Sequence, residues 1–315
     1  MAFECLLGNE RLKQNLSVSL SRGRVSHFYL ISGPEGSGKH LLADLLTQAL
    51  MCTGEHKPCG VCSGCRKVLS GSHPDYISVT DPEHKDVAVR LIREAREDMF
   101  IRPNEGAHKV YLFPQSMRME GQNALLKILE EPPSYGVFIL LSENPEQLLP
   151  TVRSRCTELK LLPVAPEILK PHLQNLYPEA DPASIDGAIR RSGGYVGQAM
   201  ELLSGSVSQP PEVEAFLQSF AKRDVMGLLN VLVPMERKPR DQAIPIFSAW
   251  KNALQEGLSC RSGMPPVSPS AKLLSSERSG QDLLRAISAL QKAIEYAQGN
   301  VSVAAICGWL AQTLR

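Results

Sequence analysis

Residues 33–40 read GPEGSGKH and lie between a short apolar run at residues 27–32 (HFYLIS) and a segment of helical spacing at residues 41–50. This spacing of glycines ahead of a lysine matches the phosphate loop, G-x-x-x-x-G-K-[ST], which joins a buried strand to a helix. The glycines let backbone N–H groups surround phosphate oxygens, while the lysine contacts the outer phosphates. The stretch therefore predicts a nucleotide-binding α/β domain whose phosphate contacts come from Gly33, Gly36, Gly38 and Lys39.

Three further apolar runs have the length of buried strands: residues 76–80 (YISVT), 109–113 (KVYLF) and 137–141 (VFILL). Segments of helical spacing separate them, at residues 87–99 and 122–129. Strands that alternate with helices form a parallel sheet with crossover connections. We therefore predict a parallel sheet around the phosphate loop.

Two positions depart from what ATP hydrolysis requires. His40 occupies the place of the serine or threonine that binds Mg²⁺, a cation that prefers oxygen ligands. The run at residues 109–113 continues into Pro114 and Gln115, where phosphate-loop ATPases place carboxylates. We predict that this chain does not hydrolyse ATP on its own, while static binding of ATP or ADP through Lys39 remains open.

Four of the eight cysteines fall within fourteen positions, with the spacing C-x6-C-x2-C-x2-C: Cys52, Cys59, Cys62 and Cys65. Four thiolates at such short spacings suit a closed, structural Zn²⁺ site. An iron–sulfur cluster is the competing interpretation, but ferredoxin-type runs end in Cys-Pro and here Arg66 follows. His56 is a possible alternate ligand. We predict that the scattered cysteines are buried as small apolar residues: Cys5, Cys260 and Cys307.

The second half of the chain is helical. Short helices are predicted at residues 168–176, 182–191 and 198–203, and longer ones from residue 213 onward. Residues 204–211 (SGSVSQPP) have the composition of a linker, and residues 262–270 (SGMPPVSPS) that of a flexible loop. Three domains follow: an α/β domain, a small helical lid and a C-terminal helical bundle.

Composition excludes some classes of protein. The chain has 34 Lys and Arg against 33 Asp and Glu, for a net charge of +1, which argues against coating nucleic acid by bulk charge. Its 43% hydrophobic content is enough for proper cores. No apolar run approaches the roughly 18 residues of a membrane helix, and the N-terminus does not read as a signal peptide. We expect a cytoplasmic protein that does not contact membranes.

Several motifs resemble one family. Residues 123–133 (NALLKILEEPP) and 154–156 (SRC) are similar to signatures of bacterial clamp-loader subunits of the AAA+ class, and residues 7–10 (LGNE) and 27–30 (HFYL) fit the opening of that family. The resemblance implies an AAA+ sheet domain at residues 1–163 with a zinc module at 52–65, a lid at 164–205 and a helical collar at 206–315. The altered hydrolysis positions make the chain more similar to the delta-prime subunit of DNA polymerase III than to the ATP-hydrolysing tau/gamma subunit.

The resemblance also assigns a role to one arginine. In the family, the arginine of the SRC motif reaches the ATP held by a neighbouring subunit, which corresponds to Arg155 here. A guanidinium supplied in trans neutralises charge on the phosphoryl oxygens. Arg153 is the alternative. Gln198 falls where the family has a second, γ-phosphate-sensing arginine, and its side chain is uncharged.

The implied partners are other clamp-loader subunits (tau/gamma-like and delta-like), the sliding clamp, and primer–template DNA reached through the complex. Two alternatives are kept. The first is an ATP-hydrolysing tau/gamma-like motor, which the missing carboxylate after Phe113 disfavours. The second is a zinc-dependent DNA-binding module, which the near-neutral charge disfavours.

Overall fold

The computed structural model describes residues 3–204, 211–264, 268–299 and 301–314. The chain divides into two compact units: Met1–Glu179 with Ala188–Glu201, and Ala180–Gly187 with Leu202–Arg315. The division at residues 163/164 and 205/206 stays a prediction. Most of the predicted linker (residues 205–210) and the middle of the predicted loop (residues 265–267) lie outside the described residues.

The first unit contains a parallel sheet of five strands. In chain order they are β1 Phe28–Ser32, β2 Tyr76–Ser78, β3 Lys109–Phe113, β4 Gly136–Ser142 and β5 Thr157–Lys160. The spatial order is β2-β3-β4-β1-β5, and every neighbouring pair is parallel. The predicted parallel sheet is therefore confirmed, and the phosphate-loop strand β1 lies between β4 and β5.

Strand β5 is absent from the sequence prediction. Its residues read TELK, and Leu159 alone among them is buried. A short strand at a sheet edge lacks the continuous apolar run that marks a strand buried on both faces. Its pairing with β1 decides its structure, with Tyr29 opposite Thr157 and Ile31 opposite Leu159.

Helices cover both faces of the sheet. Strands β1 and β3 are buried at every position. Alternate residues of β1 enter different cores: Tyr29 and Ile31 join one cluster, and Phe28 and Leu30 join the other. The helices of this part of the chain are α1 Glu10–Ser21, α2 Lys39–Met51, α3 Ser63–Leu69, α4 Val89–Asp98, α5 Met119–Glu130, α6 Pro150–Arg153, α7 Pro166–Leu176, α8 Pro182–Arg191 and α9 Val196–Ser204, with a 3₁₀ turn at Pro145–Gln147. Residues of α8 and of α9 fall in both units.

Every element of regular structure among the remaining described residues of the second unit is a helix, as predicted. Its helices are α10 Pro211–Ala221, α11 Val225–Met235, α12 Arg240–Arg261, α13 Pro269–Glu277, α14 Gly280–Gln298 and α15 Val303–Thr313. They surround a core in which fully buried Trp250 stacks on Phe216 with ring centroids 4.2 Å apart.

One part of the loop prediction is wrong. Pro269 and Ser270 were assigned to the flexible loop, yet they begin α13. The hydroxyl of Ser268 caps this helix by accepting a hydrogen bond from the Ala271 N–H, and Pro269 fills the first turn. A serine followed by proline is a helix start signal, although both residues are also typical of loops.

The burial of the scattered cysteines also differs from expectation. Cys307 is buried as predicted, Cys260 is half-buried and Cys5 is exposed. Within the described part of the chain, no helix combines the length and the hydrophobicity needed to cross a bilayer.

Candidate functional site

The phosphate loop has the backbone geometry that its glycines predict. It links β1 to α2, whose first residue is Lys39. Gly36 has φ 70° and Gly38 has φ 93°, a left-handed region that residues with a Cβ rarely adopt. The four predicted residues of the loop thus lie in one turn between strand and helix.

Lys39 holds the loop together from inside. Its Nζ donates hydrogen bonds of 2.9 Å to the carbonyl oxygens of both Gly33 and Pro34. Burial lowers the pKa of Lys39, an effect opposed by the nearby carboxylates of Glu143 and Glu35. Two of the three ammonium protons are therefore engaged within the loop, and one remains for another acceptor.

A cavity of about 360 Å³ adjoins Lys39 at the carboxyl ends of the strands. Pro114 and Gln115, which follow β3, line it, and so does Glu143, which follows β4. This is the edge of a parallel sheet at which ligands bind in open α/β folds. The structure thus brings the predicted loop and the altered residues after β3 into one place.

Gln115 has a structural role in this cavity. Its Oε1 accepts a hydrogen bond of 2.7 Å from the Asp81 N–H, and its Nε2 donates to the carbonyl oxygens of Asp81 and His84, both at 2.9 Å. Its amide therefore fastens the segment after β2, at the position where an ATPase would place an acid. A carboxylate could not donate the last two of these bonds.

Glu143 is a residue that the sequence analysis missed. The sequence predicts the absence of acidic groups at the end of β3, whereas Glu143 lies beyond the end of β4 and faces the same cavity as Lys39. The signal was available, because an acidic residue follows a predicted strand within two positions. Its negative charge supports the charged form of Lys39 and opposes the entry of phosphate oxygens.

The start of α9 packs directly on the phosphate loop. The Gly197 N–H donates a hydrogen bond of 2.8 Å to the Gly36 carbonyl oxygen, and the Gln198 Nε2 donates one of 2.7 Å to the Glu35 carbonyl oxygen. A Cβ on Gly36 would lie 2.6 Å from the Gln198 nitrogen. Gln198, which stands where the family has a sensing arginine, thus contacts the loop backbone.

The two candidate arginines lie on another part of the same unit. Arg153 and Arg155 are not among the described residues that line the Lys39 cavity. Arg155 donates to the Thr151 carbonyl oxygen at 2.9 Å and pairs with Glu130 at 3.2 Å, while Arg153 pairs with Glu146 at 2.6 Å. Both side chains are 39% exposed. They are accessible from outside the chain.

The four clustered cysteines converge at the far end of α2. Their Sγ atoms all lie within 4.8 Å of one another. Four thiolates around Zn²⁺, each at about 2.3 Å, would be about 3.8 Å apart. Cys52 follows the last residue of α2, Cys62 caps α3 and Cys65 lies within it. A helix of 13 residues therefore separates the cysteine cluster from the phosphate loop, a length of about 20 Å.

Backbone N–H groups surround these sulfurs. Gly54 donates to Cys52 Sγ at 3.3 Å, Cys62 to Cys59 Sγ at 3.4 Å and Cys65 to Cys62 Sγ at 3.5 Å. N–H donors stabilise thiolates, which are the ligand form of cysteine. His56 is not part of the cluster among the described residues, so four sulfurs complete the set. The donor set therefore fits a tetrahedral Zn²⁺.

Gly64 explains why the second half of the cluster can approach the first. A Cβ at this position would lie 2.2 Å from the Met51 carbonyl oxygen at the end of α2. Because glycine has no Cβ, α3 can pack against the end of α2 and bring Cys62 and Cys65 to Cys52.

Residues 8–165 match the family described as "DNA polymerase III, delta subunit". That segment is half of the chain, and it contains the phosphate loop, the cysteine cluster and both arginines. The chain belongs to this family. The resemblance to AAA+ clamp-loader subunits, predicted from the motifs, is therefore confirmed.

Relatives of two kinds are similar to this member of the family. The DNA polymerase III subunit delta' of Escherichia coli is 33% identical over 226 residues, covering 70% of this chain and 67% of the relative. The DNA polymerase III subunit tau of Salmonella typhimurium is 31% identical over 290 residues, covering 85% of this chain. This chain spans less than half the length of that tau subunit, 45%.

A gamma subunit-related protein from Thermotoga maritima is similar in structure, with 14% identity and a TM-score of 0.43 over 95% of this chain and 99% of that one. The strand order and the phosphate loop of this chain are the observations that show its AAA+ fold.

Proposed function

We propose that this chain is a delta-prime-like subunit of the DNA polymerase III clamp loader. It supports the ATP-dependent loading of the sliding clamp on primed DNA and does not hydrolyse ATP itself. The observation that carries this proposal is the position of Gln115, which lies beside Lys39 in the cavity and uses its amide to fasten residues 81–84. The Gln115 amide oxygen already accepts a hydrogen bond from the Asp81 N–H, and an amide cannot act as a base towards water, so the acidic catalytic group expected at this position is missing.

The same subunit would act on ATP held by a neighbour. Arg155 is exposed to 39% and lies outside the cavity of its own chain, as an arginine that works in trans requires. A guanidinium that approaches the γ-phosphate neutralises the charge of the transition state. Arg153 is the alternative, because it is equally exposed.

The partners follow from this role. The chain would sit beside ATP-hydrolysing tau/gamma-like subunits and a delta-like subunit, and would meet the sliding clamp and primer–template DNA through the complex. The cytoplasm is where such a complex would work. The C-terminal helical unit would serve as its part of the oligomeric collar.

Zn²⁺ would be held by Cys52, Cys59, Cys62 and Cys65 and would act structurally. Four cysteine ligands from the two helix ends would tie α2 to α3 and would leave no open coordination position for chemistry. The N–H groups directed at three of the sulfurs support the assignment of thiolate ligands.

The test is reconstitution of the complex with its partner subunits, followed by ATPase assays. With Arg155→Ala, turnover at the neighbouring site should fall by about 10³-fold or more, so the complex retains only the hydrolysis of its other sites. Arg153→Ala is the matched control, since it removes an exposed arginine two positions away. An Arg155→Ala complex that assembles and hydrolyses ATP as fast as the unmodified complex would refute the role of Arg155 in trans. Full activity of both the Arg155→Ala and the Arg153→Ala complexes would refute the proposal.

A second candidate function is ATP hydrolysis by this chain, as in a tau/gamma-like motor. The formed phosphate loop and the position of Lys39 in the cavity favour at least nucleotide binding. Turnover by the isolated chain separates the two functions, because a motor subunit hydrolyses ATP with its own carboxylates. A zinc-dependent DNA-binding module would instead bind DNA alone, with strong salt dependence.

A further inference from the structure

Arg155 is held on its own subunit by two contacts of different kinds. Its Nη1 donates a hydrogen bond of 2.9 Å to the Thr151 carbonyl oxygen, and its Nη2 lies 3.2 Å from Glu130 Oε1. Glu130 is the last residue of α5, so the ion pair joins that helix to the SRC segment after α6. Both ends of the guanidinium fork are therefore occupied within the chain.

We propose that Glu130 is a positioning residue that keeps Arg155 in a resting position and competes for its guanidinium with the phosphoryl group in the transition state at the neighbouring site. The inference rests on the proposed function, because it requires that Arg155 acts in trans. To present both ends of its fork to phosphate oxygens, Arg155 must leave Glu130 Oε1 and exchange one anionic partner for another.

The exposure of the pair indicates how firmly Arg155 is held. The Arg155 side chain is 39% exposed and that of Glu130 59% exposed. Ion pairs in such surroundings are weak and are screened by salt. The contact therefore restrains the guanidinium only weakly. Because Arg155 must leave Glu130 before it can act, the ion pair should lower the rate of hydrolysis by a small factor, about two- to fivefold.

The chain contains an internal comparison. Arg153 forms the same kind of pair with Glu146, at 2.6 Å, and its side chain is exposed to the same degree, 39%. If Arg153 were the arginine that works in trans, Glu146 would be the residue that restrains it. Neutralising each acid in turn therefore identifies both the arginine and its partner.

The experiment uses the reconstituted complex with Glu130→Gln in this chain. We expect kcat for ATP to rise about two- to fivefold at low ionic strength. KM should not change, because Arg155 stabilises the transition state rather than bound ATP. The ratio of variant to unmodified rates should approach one as salt screens the pair. Glu130→Asp keeps the charge on a shorter side chain and should give an intermediate rate.

Glu146→Gln and Glu131→Gln are the controls, and both should leave kcat unchanged. Assembly of each complex is checked by size-exclusion chromatography. If the Glu130→Gln chain does not assemble, the Glu130→Asp complex is used instead, and a rate of hydrolysis above that of the unmodified complex supports the inference. A rate equal to or below the unmodified one overturns the inference, as does a gain from Glu146→Gln instead. The proposed function is tested separately: it fails if neither Arg155→Ala nor Arg153→Ala lowers the rate of hydrolysis.

Discussion

The Gly197 N–H donates a 2.8 Å hydrogen bond to the carbonyl oxygen of Gly36, so the first turn of α9 lies directly on the phosphate loop. Gln198 adds a second contact from its side chain to the Glu35 carbonyl oxygen at 2.7 Å. In a nucleotide-sensing subunit a cation is expected near the γ-phosphate at this position. Here neutral groups join the loop and the helix.

Gly36→Ala should separate the loop from α9. The new Cβ would meet the Gln198 nitrogen at 2.6 Å, and the residue would also keep an unfavourable φ of 70°. We expect a loss of about 1–3 kcal/mol from overpacking in addition to the backbone strain. Chemical denaturation followed by circular dichroism measures the loss.

Gly23→Ala is the matched control for this change. Gly23 has a similar φ of 65°, and a Cβ there would meet nothing within 4 Å. Its loss of stability should contain the backbone strain alone. Equal losses for the two variants would show that the Gly36 contact with α9 contributes nothing.

Asp75 should anchor the segment after α4. Its buried carboxylate accepts hydrogen bonds from the backbone N–H groups of Asn104, Glu105 and Gly106, at 2.6, 2.8 and 2.9 Å. Replacing it in Asp75→Asn leaves some of these donors without an acceptor, at a cost of about 1.5–3 kcal/mol. Thermal unfolding measures this loss of stability. Glu120→Gln, at an exposed position, is the control and should leave the stability near that of the unmodified protein.

The contribution of Asp75 should depend on pH in one direction. Burial raises the pKa of Asp75, but the N–H donors of residues 104–106 outweigh this effect and hold the pKa below its ordinary value. The carboxylate therefore stabilises the fold fully above its unfolded pKa of about 3.9 and loses that effect as pH falls through the lower, folded pKa. The difference in stability between the unmodified protein and Asp75→Asn should shrink over this acid range, and a constant difference would argue against the assignment.

The cysteine cluster should bind one zinc ion per chain. Cys62→Ser replaces a thiolate that caps α3 and should abolish stoichiometric zinc and lower the melting temperature. Cys5→Ser is the control, because Cys5 is exposed and is not in the cluster. Elemental analysis decides the metal, and an iron-containing brown protein would contradict the zinc assignment.

The isolated chain should not hydrolyse ATP. Gln115 replaces the acid after β3, and Glu143 brings a negative charge into the cavity beside Lys39. We expect the rate of phosphate release to equal that of Lys39→Ala, which removes the lysine of the phosphate loop. A clearly faster rate for the unmodified chain, dependent on Mg²⁺, would make it a motor subunit.

Much of the fold could be predicted because its signals are local. The runs at residues 27–32, 109–113 and 137–141 are mostly apolar, as is typical of strands buried on both faces, and each contains a strand in the structure. The helix after Lys39 and the long helices beyond residue 211 follow from their spacing. Strand β5 was missed because its pairing with β1, rather than its composition, stabilises it. The 3₁₀ turn at Pro145–Gln147 does have a local signal, an Asn144 cap followed by Pro145, but it is only three residues long.

The sequence by itself determined the phosphate loop, the parallel sheet, the family and the set of four cysteines, because each of these depends on residue types at fixed short spacings. Only the tertiary structure decided which groups share a cavity or a contact. Glu143 beside Lys39, Gln115 on residues 81–84, α9 on Gly36, and Glu130 against Arg155 each join residues far apart in the chain. Such pairings depend on how strands and helices pack, and no short-range pattern encodes them.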